Sequence, residues 1–166
     1  MTDLDHLWAG WRSEYIAGVT AKPPAEGECF FCALQGEQDV DAMILERTDT
    51  TFTLMNAYPY TSGHVLIAPL RHESTLVDLD PAESMELMEA IRRANRALDA
   101  AYRPGGVNIG ANIGRAAGAG VPGHVHVHAL PRWDGDTNFM TSVADARVLP
   151  EALRASYDKL RAAWPV

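Results

Sequence analysis

Three histidines alternate with small apolar residues in the stretch that most constrains how this chain folds. Residues 123–133 read Gly-His-Val-His-Val-His-Ala-Leu-Pro-Arg-Trp and contain half of the six histidines. A β-strand turns successive side chains to opposite faces, so the alternation predicts a strand with one polar and one apolar face. The polar face would hold His124, His126 and His128. The apolar face would hold Val125, Val127 and Ala129 against a core.

Neighbouring imidazoles on such a strand would lie about 6.6 Å apart, which is two strand rises of about 3.3 Å. They are then close enough to act on one substrate centre, and we interpret residues 123–133 as an active-site strand. The alternation alone also fits a metal-binding histidine tract, or three unrelated surface histidines on an edge strand.

The size of the chain predicts one domain. With 166 residues and 47% hydrophobic content, it can build a single core. We divide it into an N-terminal helix and loop (1–28), a core (29–139) and a C-terminal extension with a helix (140–166). No run approaches the roughly 18 apolar residues of a membrane span, and the N-terminus lacks a basic region followed by an apolar one. We therefore expect a cytoplasmic protein with no membrane partner.

Charge and cysteine content restrict the partners further. Lys and Arg number 14 against 22 Asp and Glu, a net charge of −8, which argues against nucleic acid as a partner. A small anionic ligand remains compatible, because a local pocket can be positive. The two cysteines, Cys29 and Cys32, form a C-x-x-C pair. In a cytosolic chain this spacing indicates a metal half-site or a redox pair rather than a structural disulfide.

The remaining pattern alternates short β-prone runs with helical ones. Apolar residues have helical spacing in segments 3–17, 81–102 and 150–164. The second segment has a clear start, with Asp80 as N-cap, Pro81 in the first turn and Glu83 three residues after the cap. Its predicted core stripe consists of Leu87, Met88, Ile91, Ala94, Leu98 and Tyr102. Short β-prone runs lie at 42–47 and 50–56, which suit a hairpin, and at 64–69 and 107–112.

A glycine-rich loop precedes the histidines. Residues 114–123 read Gly-Arg-Ala-Ala-Gly-Ala-Gly-Val-Pro-Gly. Small residues let backbone N–H groups approach an anion closely, although such segments are also ordinary flexible loops. Its position directly before three histidines favours the anion-binding interpretation.

These features together resemble a known family. The run from His124 to Leu130 matches the histidine triad (HIT) signature, His-apolar-His-apolar-His-apolar-apolar, and residues 54–56 and 63–69 resemble its upstream partner region. Residues 131–139 and the N-terminal helix are most similar to the bacterial diadenosine tetraphosphate (Ap4A) phosphorylase-like branch. The resemblance implies an α+β fold, a HIT-like antiparallel sheet flanked by helices, in a homodimer that acts on adenosine nucleotide phosphates.

The resemblance also implies catalytic roles. His126 would attack the α-phosphorus as nucleophile and form a nucleotidyl-histidine intermediate, and His128 would donate to a bridging or nonbridging oxygen. The implied nucleotide-binding residues are Asn56, Asn112, Gly118, Gly120, Leu54 and Trp133. Asn56 would contact ribose, Leu54 would wall the base pocket, and Trp133 would stack on adenine. Turn polarity for Asn56, core packing for Leu54 and packing against the sheet for Trp133 are the alternatives.

A zinc site follows from the same resemblance. His72 and His124 match zinc-binding histidines of related proteins that have the same Cys-x-x-Cys, so Cys29, Cys32, His72 and His124 would form a closed, structural site. The alternative is a reduced cysteine pair without a metal. We assign His64 a structural role and expect His6 to be solvent-exposed.

The group that resolves the intermediate is open at this stage. Attack by phosphate makes the enzyme a phosphorylase, and attack by water makes it a hydrolase. Phosphorylase members have a serine in the glycine loop where this chain reads Gly118-Ala119-Gly120-Val121, which puts phosphorolysis in doubt. A nucleotide-binding regulatory module with little turnover is the alternative from a different functional class.

Overall fold

The computed structural model describes residues 28–136 and 149–165. The predicted helix at 3–17 and His6 lie outside the described residues. Residues 137–139, the last part of the segment that resembles the phosphorylase-like branch, also lie outside the described residues. Among the described residues, no helix combines the length and apolar character that crossing a membrane requires.

Five antiparallel strands form one sheet. They are β1 (Ile44–Arg47), β2 (Thr51–Met55), β3 (Val65–Pro69), β4 (Gly106–Gly110) and β5 (Val127–Arg132). The order across the sheet is β1-β2-β3-β5-β4, and each neighbouring pair is antiparallel. The predicted hairpin is confirmed as β1 and β2, which pair directly. With the helices described next, this confirms the predicted α+β class.

The helices are α1 (Phe30–Leu34), α2 (Pro81–Tyr102) and α3 (Leu153–Ala163). The start of α2 is the predicted capping box: the Glu83 N–H donates to Asp80 Oδ1, and the Asp80 N–H donates to Glu83 Oε2, both at 2.8 Å. The helix ends at Tyr102, and its C-cap Arg103 adopts a left-handed conformation with φ 44°. Local capping chemistry thus accounts for both ends of the helix.

The apolar stripe of α2 differs from the prediction at one position. Leu87, Ala94 and Leu98 are buried as expected, but Met88 is 57% exposed, so its place in the core stripe is wrong. The buried face also contains Ala90 and Ala97, which are both fully buried. A face rich in alanine lets the helix approach the sheet closely, and Met88 lies about 100° around the helix from Leu87, outside that face.

Both faces of the sheet are covered. Alternate residues of β3 point to opposite sides: Val65 and Ile67 pack toward α2 and α3, whereas Leu66 and Ala68 pack toward α1. This explains why every residue of β3 is buried. His128 lies opposite Leu66 in the neighbouring strand β5 and therefore shares the α1 side of the sheet. The sheet register thus decides which face receives the histidine.

Candidate functional site

Regular pairing of β5 begins at Val127, so the predicted strand is shorter than expected. His128 lies within it, whereas His124 and His126 precede it. The ladder to β3 begins at Val127, and Val125 instead donates its N–H to the carbonyl of Glu73 at 2.6 Å. This bond to a loop, rather than to a strand, holds the segment that leads into the sheet.

The three histidines fall into two groups, and Phe31 contacts both of them. Its ring lies 5.1 Å from the ring of His124 and 4.8 Å from that of His126, measured between centroids. His126 and His128 lie together, with their rings 5.0 Å apart. His124 instead has His72 as a neighbour, with 5.2 Å between the ring centroids.

His126 presents one ring nitrogen to a cavity. Its Nδ1 lies 2.9 Å from the carbonyl oxygen of His124. A carbonyl only accepts, so Nδ1 holds the proton and Nε2 of the neutral ring keeps its lone pair. The residue is 5% exposed and lines the cavity. This is the geometry that a nucleophilic imidazole needs.

His128 is oriented by a second buried histidine. The N–H of Tyr60 donates to Nδ1 of His64 at 3.1 Å, and the amide of Asn56 lies 3.2 Å from the same nitrogen. The proton of neutral His64 is therefore on Nε2, which donates to Nδ1 of His128 at 2.9 Å. His128 in turn holds its proton on Nε2, as a hydrogen-bond donor. The structural role expected for His64 thus includes direct contact with this ring.

Burial keeps both rings neutral. Burial first, and then the neighbouring His128 and His126, together lower the pKa of His64 to about 3. The pKa of His128 is also lowered, first by burial and then by His126. A neutral imidazole keeps one N–H and can therefore donate one hydrogen bond. An anion beside the ring would accept that hydrogen bond and would favour the arrangement in which the N–H points toward it.

His126 and His128 line a cavity of about 310 Å³. The structure brings six predicted residues to its wall: Asn56, Asn112, Gly118, Gly120, His126 and His128. Leu54 and Trp133 are not among the lining residues. Leu54 is buried in the core, paired with Leu66 across the sheet, and Trp133 packs against Tyr102 at 6.0 Å between ring centroids. Both positions correspond to the packing alternatives.

Most of the apolar wall of the cavity was not predicted from the sequence. Phe30, Phe31, Leu66 and Val121 line the cavity, and none was proposed for the site. The adjacent phenylalanines between the two cysteines were the available signal, since a double aromatic in a short helix needs an apolar partner. Tyr58 and Tyr60, on the turn between β2 and β3, were also missed.

The predicted metal ligands converge in a second cluster. Cys29, Cys32, His72 and His124 each offer a ligand atom, and these atoms lie within 4.8 Å of one another. The Nδ1 of His124 is 3.4 Å from Sγ of Cys29 and 3.7 Å from Sγ of Cys32, and Nδ1 of His72 is 3.3 Å from Sγ of Cys32. Ordinary Zn–S and Zn–N bonds in a tetrahedron imply about 3.6 Å between such atoms. The donor set therefore fits Zn²⁺.

The hydrogen bonds around His124 agree with a metal ligand. Its Nε2 donates to the carbonyl of Pro69 at 2.9 Å, which leaves the lone pair on Nδ1, the nitrogen that faces the cysteines. Burial lowers the pKa of His124 and favours its neutral form. Burial and Cys29 raise the pKa of the Cys32 thiol. A cation is what would stabilise two thiolates at this distance.

Known proteins share this architecture. The HIT domain matches residues 37–135. The chain is 34% identical over 97% of its length to a Mycobacterium tuberculosis protein named AP-4-A phosphorylase, of which the match covers 85%. It is 35% identical over 58% of its length to a Schizosaccharomyces pombe bis(5'-nucleosyl)-tetraphosphatase, of which the match covers 53%.

A solved structure is similar over most of both chains. The crystal structure of a Zn-bound histidine triad family protein from Mycobacterium smegmatis superposes with a TM-score of 0.67 and 29% identity. The alignment covers 84% of this chain and 94% of that one. Sequence, fold and the paired histidines at the cavity agree, and the chain belongs to the HIT domain family.

Proposed function

We propose that this protein is a HIT-family enzyme that cleaves adenosine nucleotide phosphates at the α-phosphorus. Its substrates would be diadenosine polyphosphates, AMP esters or AMP phosphoramidates. The observation that supports this most directly is the pair of complementary ring nitrogens at one cavity: a lone pair on His126 Nε2 and a proton on His128 Nε2. The similarity to enzymes named for diadenosine tetraphosphate cleavage supports the same substrate class.

The first half-reaction uses this pair directly. Nε2 of His126 attacks the α-phosphorus, a P–N bond forms, and the bond from phosphorus to the bridging oxygen breaks with its electron pair on oxygen. The Nε2–H of His128 donates a hydrogen bond to that oxygen. A polyphosphate leaving group is stable as an anion, so hydrogen bonding rather than full protonation suffices. In an AMP phosphoramidate the bond that breaks is the P–N bond of the substrate, and the leaving nitrogen takes a proton from water and departs as ammonia.

The surrounding loop stabilises the charge on the phosphate. Gly118 and Gly120 line the cavity, and Gly118 has φ 84°, a left-handed conformation that glycine adopts without strain. Among the described lining residues there is no Lys or Arg. Backbone N–H groups of the loop, Asn112 and the two imidazoles would therefore bind the nonbridging oxygens.

In the second half-reaction an acceptor attacks the same phosphorus. The P–N bond breaks, and Nε2 of His126 regains its lone pair. Water as acceptor releases AMP, and inorganic phosphate releases ADP. The family resemblance implies a serine in the glycine loop of phosphorylases, where this chain reads Gly118-Ala119-Gly120-Val121, so any phosphate subsite in this chain would use backbone donors.

Zinc would have a structural role. Cys29, Cys32, His72 and His124 would hold it in a closed set of four ligands, which joins the start of α1 to the segment that precedes β5. No catalytic step requires it. We also propose that the enzyme is a cytoplasmic homodimer, as the family resemblance implies.

Incubation with diadenosine tetraphosphate and with AMP phosphoramidate, each with and without inorganic phosphate, tests this function. AMP released without phosphate identifies a hydrolase, and ADP that appears only with phosphate identifies a phosphorylase. AMP binding without product under either condition would favour the regulatory module instead. The His126→Ala variant is the matched control for a contaminating activity.

A further inference from the structure

The cavity is sized for one nucleoside. Its volume of about 310 Å³ is at the lower end of the range of about 300–1,000 Å³ that holds one small-molecule ligand. A dinucleoside polyphosphate has two bases joined by a polyphosphate. If the proposed function is correct, one nucleoside occupies the cavity and the other has to lie outside it.

The position of the apolar wall indicates which side the second nucleoside takes. Phe31 lies 4.8 Å from His126, so the first base would pack on the His126 side. In-line attack places the leaving group opposite the attacking nitrogen. His128, the hydrogen-bond donor, adjoins His126 with a ring separation of 5.0 Å, and the leaving group would pass beside it.

The next ring beyond His128 is a half-exposed tyrosine. The Tyr60 ring is 5.9 Å from that of His128 and almost parallel to it, with an interplanar angle of 11°. Tyr60 is 50% exposed and Tyr58 is 59% exposed, and both line the cavity. Partly exposed aromatic side chains on the wall of a nucleotide cavity are suited to stacking on a base.

The backbone that presents these tyrosines is held in place. The N–H of Tyr58 donates to Oδ1 of Asn56 at 2.9 Å, and the N–H of Tyr60 donates to Nδ1 of His64. The turn is therefore ordered before substrate arrives, so a stacking platform there would lose little conformational freedom on binding. A neutral phenol also avoids repulsion with polyphosphate, which a carboxylate at this position would cause.

We propose that Tyr60, with Tyr58 beside it, forms an outer stacking site for the base of the leaving nucleotide. This site makes the enzyme selective for dinucleoside polyphosphates over adenylates with small leaving groups. The inference rests on the proposed function and names the part of the substrate that determines its specificity.

The test compares two substrates that share the first nucleoside. The leaving group of diadenosine tetraphosphate contains a second base, whereas the leaving group of AMP phosphoramidate is ammonia and contains none. We expect Tyr60→Leu to lower the ratio of kcat/KM for diadenosine tetraphosphate to kcat/KM for AMP phosphoramidate by about ten-fold, which is what one stacked base is worth. Tyr60→Phe keeps a ring and should retain the ratio of the unaltered protein. Tyr58→Leu should lower it less than Tyr60→Leu.

Other outcomes overturn the proposal. An equal loss on both substrates would mean that Tyr60 acts by positioning His128, and an unchanged ratio would mean that the ring contacts no base. Failure of Tyr60→Phe to retain the ratio would assign the effect to the hydroxyl. If the unaltered protein cleaved neither substrate, the proposed function itself would fail, and the stacking site with it.

Discussion

His124 and His126 are two residues apart, yet they expose opposite ring nitrogens. His124 donates from Nε2 to the carbonyl of Pro69 and turns Nδ1 toward two thiols. His126 donates from Nδ1 to the carbonyl of His124 and turns Nε2 toward the cavity. In both cases a backbone carbonyl determines the tautomer and therefore which nitrogen is available for chemistry.

The difference corresponds to the two environments. Nδ1 is close to the main chain, which suits the compact set of ligands around His124. Nε2 is at the far end of the ring, which suits a nucleophile that must reach a phosphorus atom. The same type of side chain in one short segment thus has the geometry proposed for a metal ligand and the geometry proposed for a nucleophile, and the two can be disturbed separately.

Removal of the nucleophile is expected to have the largest effect. His126→Ala deletes the proposed attacking nitrogen and should lower kcat by about 10⁴-fold or more, since no other group can form the intermediate. Zinc content should stay unchanged, because His126 is not among the predicted ligands. Turnover assays and metal analysis of the same preparation check both statements. Near-normal turnover would remove His126 from the nucleophile's role.

Removal of a thiolate ligand should give the reverse pattern. We expect about one zinc per unaltered chain, and loss of that zinc in Cys32→Ser. The melting temperature should fall by about 10 °C, corresponding to a loss of roughly 3 kcal/mol for a chain of this size. A chelator should lower the melting temperature of the unaltered protein but not that of the variant. Equal sensitivity of both proteins to the chelator, or no zinc in either, would contradict the metal site.

The cluster of His64, His126 and His128 should also make the stability of the fold depend on pH. The folded pKa of His64 is lowered to about 3 from an ordinary 6.5, so the unfolded chain binds more protons between these values. Stability is retained above pH 6.5 and falls as the pH drops toward 3. At pH 4.5 the loss is about 3 kcal/mol.

His64→Gln removes this titration while keeping a polar side chain. The decrease in unfolding free energy between pH 7 and pH 4.5, measured by urea denaturation, should therefore be about 3 kcal/mol smaller in the variant. The histidines of the metal cluster titrate in both proteins and cancel in the comparison. Identical pH dependence would show that His64 is not buried as a neutral ring.

The smallest expected effect concerns the turn that delivers His64 to its partner. Gly63 has φ 81°, and a Cβ atom there would lie 2.7 Å from Cε2 of Tyr102. Gly63→Ala should destabilise the protein by about 2 kcal/mol, or roughly 5 °C, through backbone strain and this clash. It should also lower kcat while zinc content stays unchanged.

Gly36→Ala is the matched control. Only the carbonyl oxygen of Ala33 lies near its Cβ position, at 3.8 Å, which is ordinary contact, and no positive φ is involved. Calorimetric melting of the two variants should differ by about 5 °C. Equal melting temperatures would show that the Gly63 turn tolerates a side chain.

Much of the fold could be predicted from local patterns. Asp80, Pro81 and Glu83 together mark the first turn of α2, and these groups act on each other within four residues. Met88 was assigned to the wrong face because helical spacing alone does not show which of two adjacent rows meets the sheet. Leu54 was predicted to line the cavity, but Leu66, which lies opposite it in the neighbouring strand, lines the cavity instead.

The site contacts that were not predicted from the sequence join distant segments of the chain. His64 and His128 are 64 residues apart and meet because Val65 pairs with Ala129 in the sheet. Phe31 reaches His126 because α1 packs on the face of the sheet that contains Leu66. Local sequence can suggest that Phe31 packs against an apolar partner, but it cannot show which residues either contact joins, since each contact requires the sheet order and the register.

The sequence by itself determined the two longer helices and the main strands of the described core, through periodicity, capping and spacing that act over a few residues along the chain. Its resemblance to the histidine triad signature indicated the family and the residue types available for catalysis and for a metal. Only the tertiary structure decided that His124 faces the thiols, that His126 lines the cavity, that His64 orients His128, and that Tyr60 lines the same cavity beside His128. Those outcomes depend on which carbonyl or ring from another segment meets each imidazole, because that contact selects the tautomer and the exposed face.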